Sequence, residues 1–136
     1  MHAIVVDTQS EQRLLQWTQV DDPVAGHGEV IVDIHATAVN RADLLQRAGH
    51  YPPPPGAPDI IGLEMAGVVA DPGQSDWATG DRVCALLAGG GYAERVAVDA
   101  RLLFPVPDDW SLTRAAALPE VFLTAYVNLF VEAILQ

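Results

Sequence analysis

Lysine is absent, and cysteine is nearly so, with Cys84 alone in 136 residues. Seven arginines stand against 18 acidic residues, a formal net charge of −11. That balance excludes a basic face for phosphate backbones and speaks against nucleic acid as a partner. It also speaks against an anionic membrane surface. One cysteine rules out an intramolecular disulfide and a cysteine-built zinc site. No run of ~18 apolar residues is present, so no membrane span is expected. The start, MHAIVVDTQSEQRLL, lacks the basic region and long apolar core of a signal peptide, which makes the cytoplasm the expected location. Neither G-x-G-x-x-G nor GxxxxGK[ST] occurs, so no dinucleotide or phosphate-loop fingerprint is present.

What is present is apolar: half of the residues are hydrophobic, enough for a real core. AIVVD (3–7) and LLQWTQV (14–20) read as hairpin partners, and EVIVDIHATAV (29–39) alternates apolar and polar as a strand does. NRADLLQRAG (40–49) predicts a helix with Asn40 as N-cap, Asp43 at N3 and Gly49 closing the end. HYPPPPGAP must be a stiff loop, because prolines this dense fit neither helix nor interior strand. Strands follow at 60–73, 80–87 and 92–100, with GGG (89–91) read as a turn or bulge. Ser111 predicts an N-cap for LTRAAAL, Pro119 interrupts, and VFLTAYVNLFVEAILQ forms a second helical pattern reaching Gln136. Short strands between Gly/Pro turns predict a mainly β, partly open barrel with a few short helices.

Few residues are placed for chemistry. His2, His27, His35 and His50 are scattered, with neither helical pairing nor a neighbouring cysteine, so no metal site is expected. Asn40 to Asp43 reads equally as a capping stretch and as a site, and Tyr51 equally as a packed ring and as one exposed beside a cleft. Glu64 is the anomaly. It interrupts the otherwise apolar IIGLEMAGVVA (60–70), and a buried carboxylate without a partner costs several kcal/mol.

Five blocks in order carry a resemblance: Asn40-Arg41-Ala42-Asp43, QRAGHYPPPPGAP (46–58), IIGLEMAGVV (60–69), GDRVCALLAGGGYAE (80–94) and AAALPEVFLTAY (115–126). Together they resemble the amino-terminal part of the zinc-independent medium-chain dehydrogenase/reductases, the zeta-crystallin-like NADPH:quinone oxidoreductases. The resemblance implies a GroES-like domain over 1–120, followed by a helix over 121–136 that leads into a Rossmann domain outside this chain. It implies hydride transfer from NADPH to a quinone or a related electron-poor small molecule, with no zinc, in a protein that is a homodimer when complete. At the positions matching Asn40 and Leu63 the zinc-dependent cousins carry a cysteine and a histidine ligand. By the same matching, Asn40 and Asp43 lie near the nicotinamide, Thr124 meets the nicotinamide ribose or carboxamide region, and Tyr51 flanks the acceptor pocket. An end at Gln136 would leave the chain inactive alone, and the alternative is a non-enzymatic GroES-like module that folds or self-associates. For Glu64, the expected partner is Arg41 or Arg82.

Overall fold

The structure, a computed structural model, describes residues 1–134. Two antiparallel groups of strands organise it. Strands β1 (His2–Val6) and β2 (Leu15–Gln19) form a hairpin. The larger sheet has the order β6-β3-β4-β5-β7, from β3 (Glu29–Thr37), β4 (Glu64–Asp71), β5 (Arg82–Leu86), β6 (Arg95–Asp99) and β7 (Phe104–Pro105). The bridge between Ala3 and Ala93, made by the bonds from Ile4 N–H to the Tyr92 carbonyl (2.8 Å) and from Glu94 N–H to the His2 carbonyl (3.0 Å), joins the two groups. The sheets curl towards each other without closing, the partly open β fold expected from the sequence.

The alternation read in EVIVDIHAT has its physical basis in the core. Val30 and Val32 of β3 face Met65 and Val69 of β4, Val83 and Ala85 of β5, and Val96 and Val98 of β6. Burying side chains of this size stabilises by about 1.5–3 kcal/mol each. Gly67 of β4 passes so close to β3 that a Cβ there would lie 2.1 Å from the Asp33 carbonyl oxygen. A register shift between Ile34 and Ala36 marks the bend. On the other face, small residues let a helix approach: Ala115 and Ala116 pack on Ala66 and Cys84.

Helix α1 (Arg41–Ala48) begins at Asn40 and ends at Gly49, whose φ of 79° suits the left-handed position that closes it. Its burial inverts the usual pattern: Asp43 and Gln46 are buried, whereas Leu44 is exposed. Helix α2 (Leu112–Ala116) is capped by the Ser111 hydroxyl, which accepts from Arg114 N–H at 3.1 Å. Helix α3 (Pro119–Tyr126) packs against β4 and β5 and continues as a π-helical segment, Val127–Glu132. Phe122, Tyr126, Leu129, Phe130 and Val131 are exposed along this stretch. Leu135 and Gln136, the end of the expected second helix, lie outside the described residues. No helix among the described residues is long and apolar enough to cross a membrane.

Candidate active site

Glu64 opens β4 and is 1% exposed, so its carboxylate must find its donors inside the protein. It finds two. Oε1 accepts from the Asn40 side-chain amide at 2.7 Å, and Oε2 accepts from Glu120 N–H at 2.9 Å. The second donor explains the position. Glu120 follows Pro119 in the first turn of α3, where backbone N–H groups have no helical partner, and Leu118 before it has no side chain able to cap. Glu64 therefore caps α3 from another strand, at the end of the helix that favours negative charge. Its own carbonyl accepts from the Thr37 hydroxyl at 2.7 Å, so one residue ties together β3, α1 and α3.

The arginine partner expected from the sequence is not the one present. Among the described residues Glu64 makes no ion pair. Arg82 spends its guanidinium on backbone carbonyls, those of Pro107 and Asp108 at 3.2 Å each and that of Trp110. Arg41 is exposed on the first turn of α1. A charge-assisted amide and a helix N-terminus answer the charge without the desolvation that a buried guanidinium would cost.

Asn40 links Glu64 to a second buried acid. Its backbone N–H donates to Asp43 Oδ2 at 2.7 Å, and the Tyr92 hydroxyl donates to the same oxygen at 2.9 Å. Burial first, and then this bond to Asp43, hold the Tyr92 phenol well above its usual pKa. Burial, followed by the charge of Glu64, likewise pushes the Cys84 thiol up. Tyr92 follows the glycine triplet, which the structure shows to be a site of close backbone packing. Gly90 N–H donates to the Ile60 carbonyl at 2.6 Å and Tyr92 N–H to the Ile61 carbonyl at 3.0 Å. A Cβ on Gly91 would lie 2.9 Å from the carbonyl oxygens of Gly62 and Glu64, so only glycine lets the two segments meet.

Above this network lies an open cleft of ≈ 590 Å³. Tyr51 and Pro54 of the proline loop form one wall, Leu123 and Thr124 of α3 another, and Leu63, Leu86 and Phe104 the floor and far side. Tyr51 and Phe104 expose 47% and 45% of their surface, so their rings are available to a flat molecule. The structure thus brings Tyr51 and Thr124 to one cleft and sets Asn40 and Asp43 beneath it, at 8% and 1% exposure. Sequence reasoning missed Tyr92 and the Glu120 N–H, which lie 49 and 56 residues from their partners. No local signal could have paired them.

The alcohol dehydrogenase GroES-like domain matches residues 26–108, more than half of the chain. The chain belongs to this family. The GroES-like domain is part of the medium-chain dehydrogenase/reductases, a superfamily of oxidoreductases. Its curated relatives include the human synaptic vesicle membrane protein VAT-1 homolog-like, 37% identical over 116 residues, which are 84% of this chain and 28% of that protein. They also include the pikromycin polyketide synthase component PikAII of Streptomyces venezuelae, 43% identical over 102 residues, 74% of this chain and 3% of the synthase. Among solved structures, the human VAT-1 homolog-like protein superposes with a TM-score of 0.90 at 33% identity, over 100% of this chain and 45% of its own. The quinone oxidoreductase of Thermus thermophilus, described with its NADPH complex, gives 0.78 at 36% identity over 98% and 41%. This GroES-like chain therefore spans less than half the length of each of these relatives.

Proposed function

We propose that this chain forms the acceptor side of a zeta-crystallin-like, NADPH-dependent quinone reductase that works without zinc. The observation that carries the reading is the cleft. It is a largely apolar slot walled by Tyr51, Leu63 and Phe104, with the Thr124 hydroxyl on its α3 side, and Arg101 and Glu120 also line it. Such walls suit a flat nicotinamide beside a flat, electron-poor acceptor. When bound, the reduced cofactor supplies that hydride; the acceptor gains two electrons and takes a proton from solvent. In this reading Thr124 meets the nicotinamide ribose or carboxamide, and Tyr51 stacks on a quinone. Asn40 and Asp43 are too buried to touch either and serve by fixing α1 and the floor of the cleft. The cofactor's phosphates need a Gly-rich turn that these residues do not provide, so the reading places them on a dinucleotide-binding domain joined to this one.

The donor set beside the cleft does not fit zinc. Asn40 already donates its amide to Glu64, and Leu63 offers no ligand atom. Among the described residues no three His, Cys, Asp or Glu side chains converge. The same resemblance carries a homodimer and a cytoplasmic setting as part of the proposal. The test is NADPH oxidation with 1,4-naphthoquinone by the protein in which this chain is joined to its dinucleotide-binding domain. The reading expects turnover that survives chelators and falls about 10-fold or more in Tyr51→Ala, about 1.4 kcal/mol of lost positioning. Turnover abolished by chelation, or no turnover with any quinone, overturns it.

A further inference from the structure

Two residues lining the cleft between the proline loop and α3 carry charge, Arg101 and Glu120. Their situations differ. Arg101 spends its guanidinium on Asp99: Nε donates to Oδ1 at 3.0 Å and to Oδ2 at 3.2 Å, and Nη2 donates to Oδ2 at 2.6 Å. The pair is neutral as a unit, and the arginine side chain is 88% exposed, so solvent screens what field remains. Glu120 makes no ion pair among the described residues. It is half-buried and lies on the cleft side of α3, because Glu120, Leu123 and Thr124 all line the cleft at the i, i+3, i+4 spacing of one helical face. The positive end of α3 does not offset this carboxylate. Glu64 Oε2 already accepts from Glu120 N–H at 2.9 Å and brings a second, buried negative charge to the same turn. The chain has no lysine that could answer either charge.

We propose that Glu120 makes this cleft select uncharged or cationic acceptors and reject anionic ones. The inference rests on the reading of the cleft as an acceptor site and names the charge class that the site takes. Near a protein surface the effective dielectric is about 20, against about 80 in water, so a carboxylate there repels a second anion several times more strongly. An anionic ring also gives up hydration on entering, and the cation that lines the cleft is already paired. An uncharged quinone incurs neither cost. The walls formed by Tyr51, Leu63 and Phe104 hold a quinone and its anionic derivative alike, so the discrimination comes from Glu120.

The test is titration of the isotope-labelled chain with 1,4-naphthoquinone and with 1,4-naphthoquinone-2-sulfonate, the same ring carrying one negative charge, followed by nuclear magnetic resonance. The expected result is at least about 10-fold weaker binding of the sulfonate, equivalent to about 1.4 kcal/mol. Glu120→Gln keeps the size of the side chain and the backbone N–H to Glu64, and should reduce the ratio to about 3-fold or less. Glu120→Asp, which keeps the charge, should retain it. Glu11→Gln removes a charge that does not line the cleft and should leave the ratio unchanged, which separates Glu120 from the net charge of −11. In the unaltered chain, raising the salt from about 20 mM to about 500 mM should shrink the ratio, a reading that needs no variant to fold. Equal affinity for the two rings, a ratio unmoved by salt, or the same ratio in Glu120→Gln would each overturn the role of Glu120 and leave the quinone site standing. Failure of the uncharged ring to bind in the cleft would overturn the quinone reading, and this inference with it.

Discussion

Replacing Asn40 with alanine removes the 2.7 Å bond from its amide to Glu64 and leaves a carboxylate that is 1% exposed with one donor, Glu120 N–H. The helix-capping loss is not the main term, because the Asn40 side chain is turned to Glu64 and its backbone N–H to Asp43 persists in alanine. A hydrogen bond to a charged group contributes about 1.5–3 kcal/mol, and the stranded lone pairs place the cost in the upper half of that range. About 2.5 kcal/mol in a domain of this size corresponds to a fall in Tm of about 10 °C. Urea and thermal unfolding of the two proteins, followed by circular dichroism, read this directly. Asn40→Asp should be worse than alanine at neutral pH, since it sets a second carboxylate against Glu64. In a Glu64→Leu background Asn40→Ala should cost at least about 1 kcal/mol less, because the bond it breaks is already gone. A cost below about 0.5 kcal/mol for Asn40→Ala, or equal cost in both backgrounds, would refute the idea that this amide answers the buried charge.

Three further outcomes follow from the same contacts. Tyr92→Phe loses the 2.9 Å bond to Asp43 and should destabilise by about 1–2 kcal/mol in urea unfolding; in the native protein, ultraviolet absorbance should show Tyr92 still un-ionised above its ordinary pKa of 10.0. Gly67→Ala would set a methyl group 2.1 Å from the Asp33 carbonyl oxygen, so β3 and β4 must separate; a loss of about 3 kcal/mol or more, or failure to fold, is expected from soluble expression and melting. Asp99, held by the Arg101 guanidinium, should titrate near about 2 in carboxyl-detected magnetic resonance and move back towards 3.8 in Arg101→Ala. Its folded pKa is depressed, so its small contribution to stability is present above pH 3.8 and is lost as pH falls towards about 2.

Local chemistry was legible in the sequence, and long-range pairing was not. The alternation in Glu29–Thr37, the N-cap at Asn40, the stop at Gly49 and the cap at Ser111 depend on residues a few positions apart, and each stands where its residues indicate. The GroES-like fold followed from the order of the motif blocks and is what the strands build. Glu64 was legible as a problem, but its solution was not. An arginine is the natural expectation for a buried acid in a chain without lysine. The actual donors are an amide 24 residues upstream and a backbone N–H 56 residues downstream, and a backbone N–H has no residue type to recognise. The same limit hid the inverted face of α1: Asp43 is buried where Tyr92 meets it, Gln46 is buried on the same helix, and Leu44 is left outside.

If the cleft between the proline loop and α3 receives a quinone, titrating the isotope-labelled chain with 1,4-naphthoquinone should reveal it without any cofactor present. Resonance shifts are expected to concentrate at Tyr51, Leu63, Leu86 and Thr124, and to vanish in Tyr51→Ala while the fold persists. Shifts centred elsewhere, or the same affinity without the Tyr51 ring, would contradict a quinone site in this cleft.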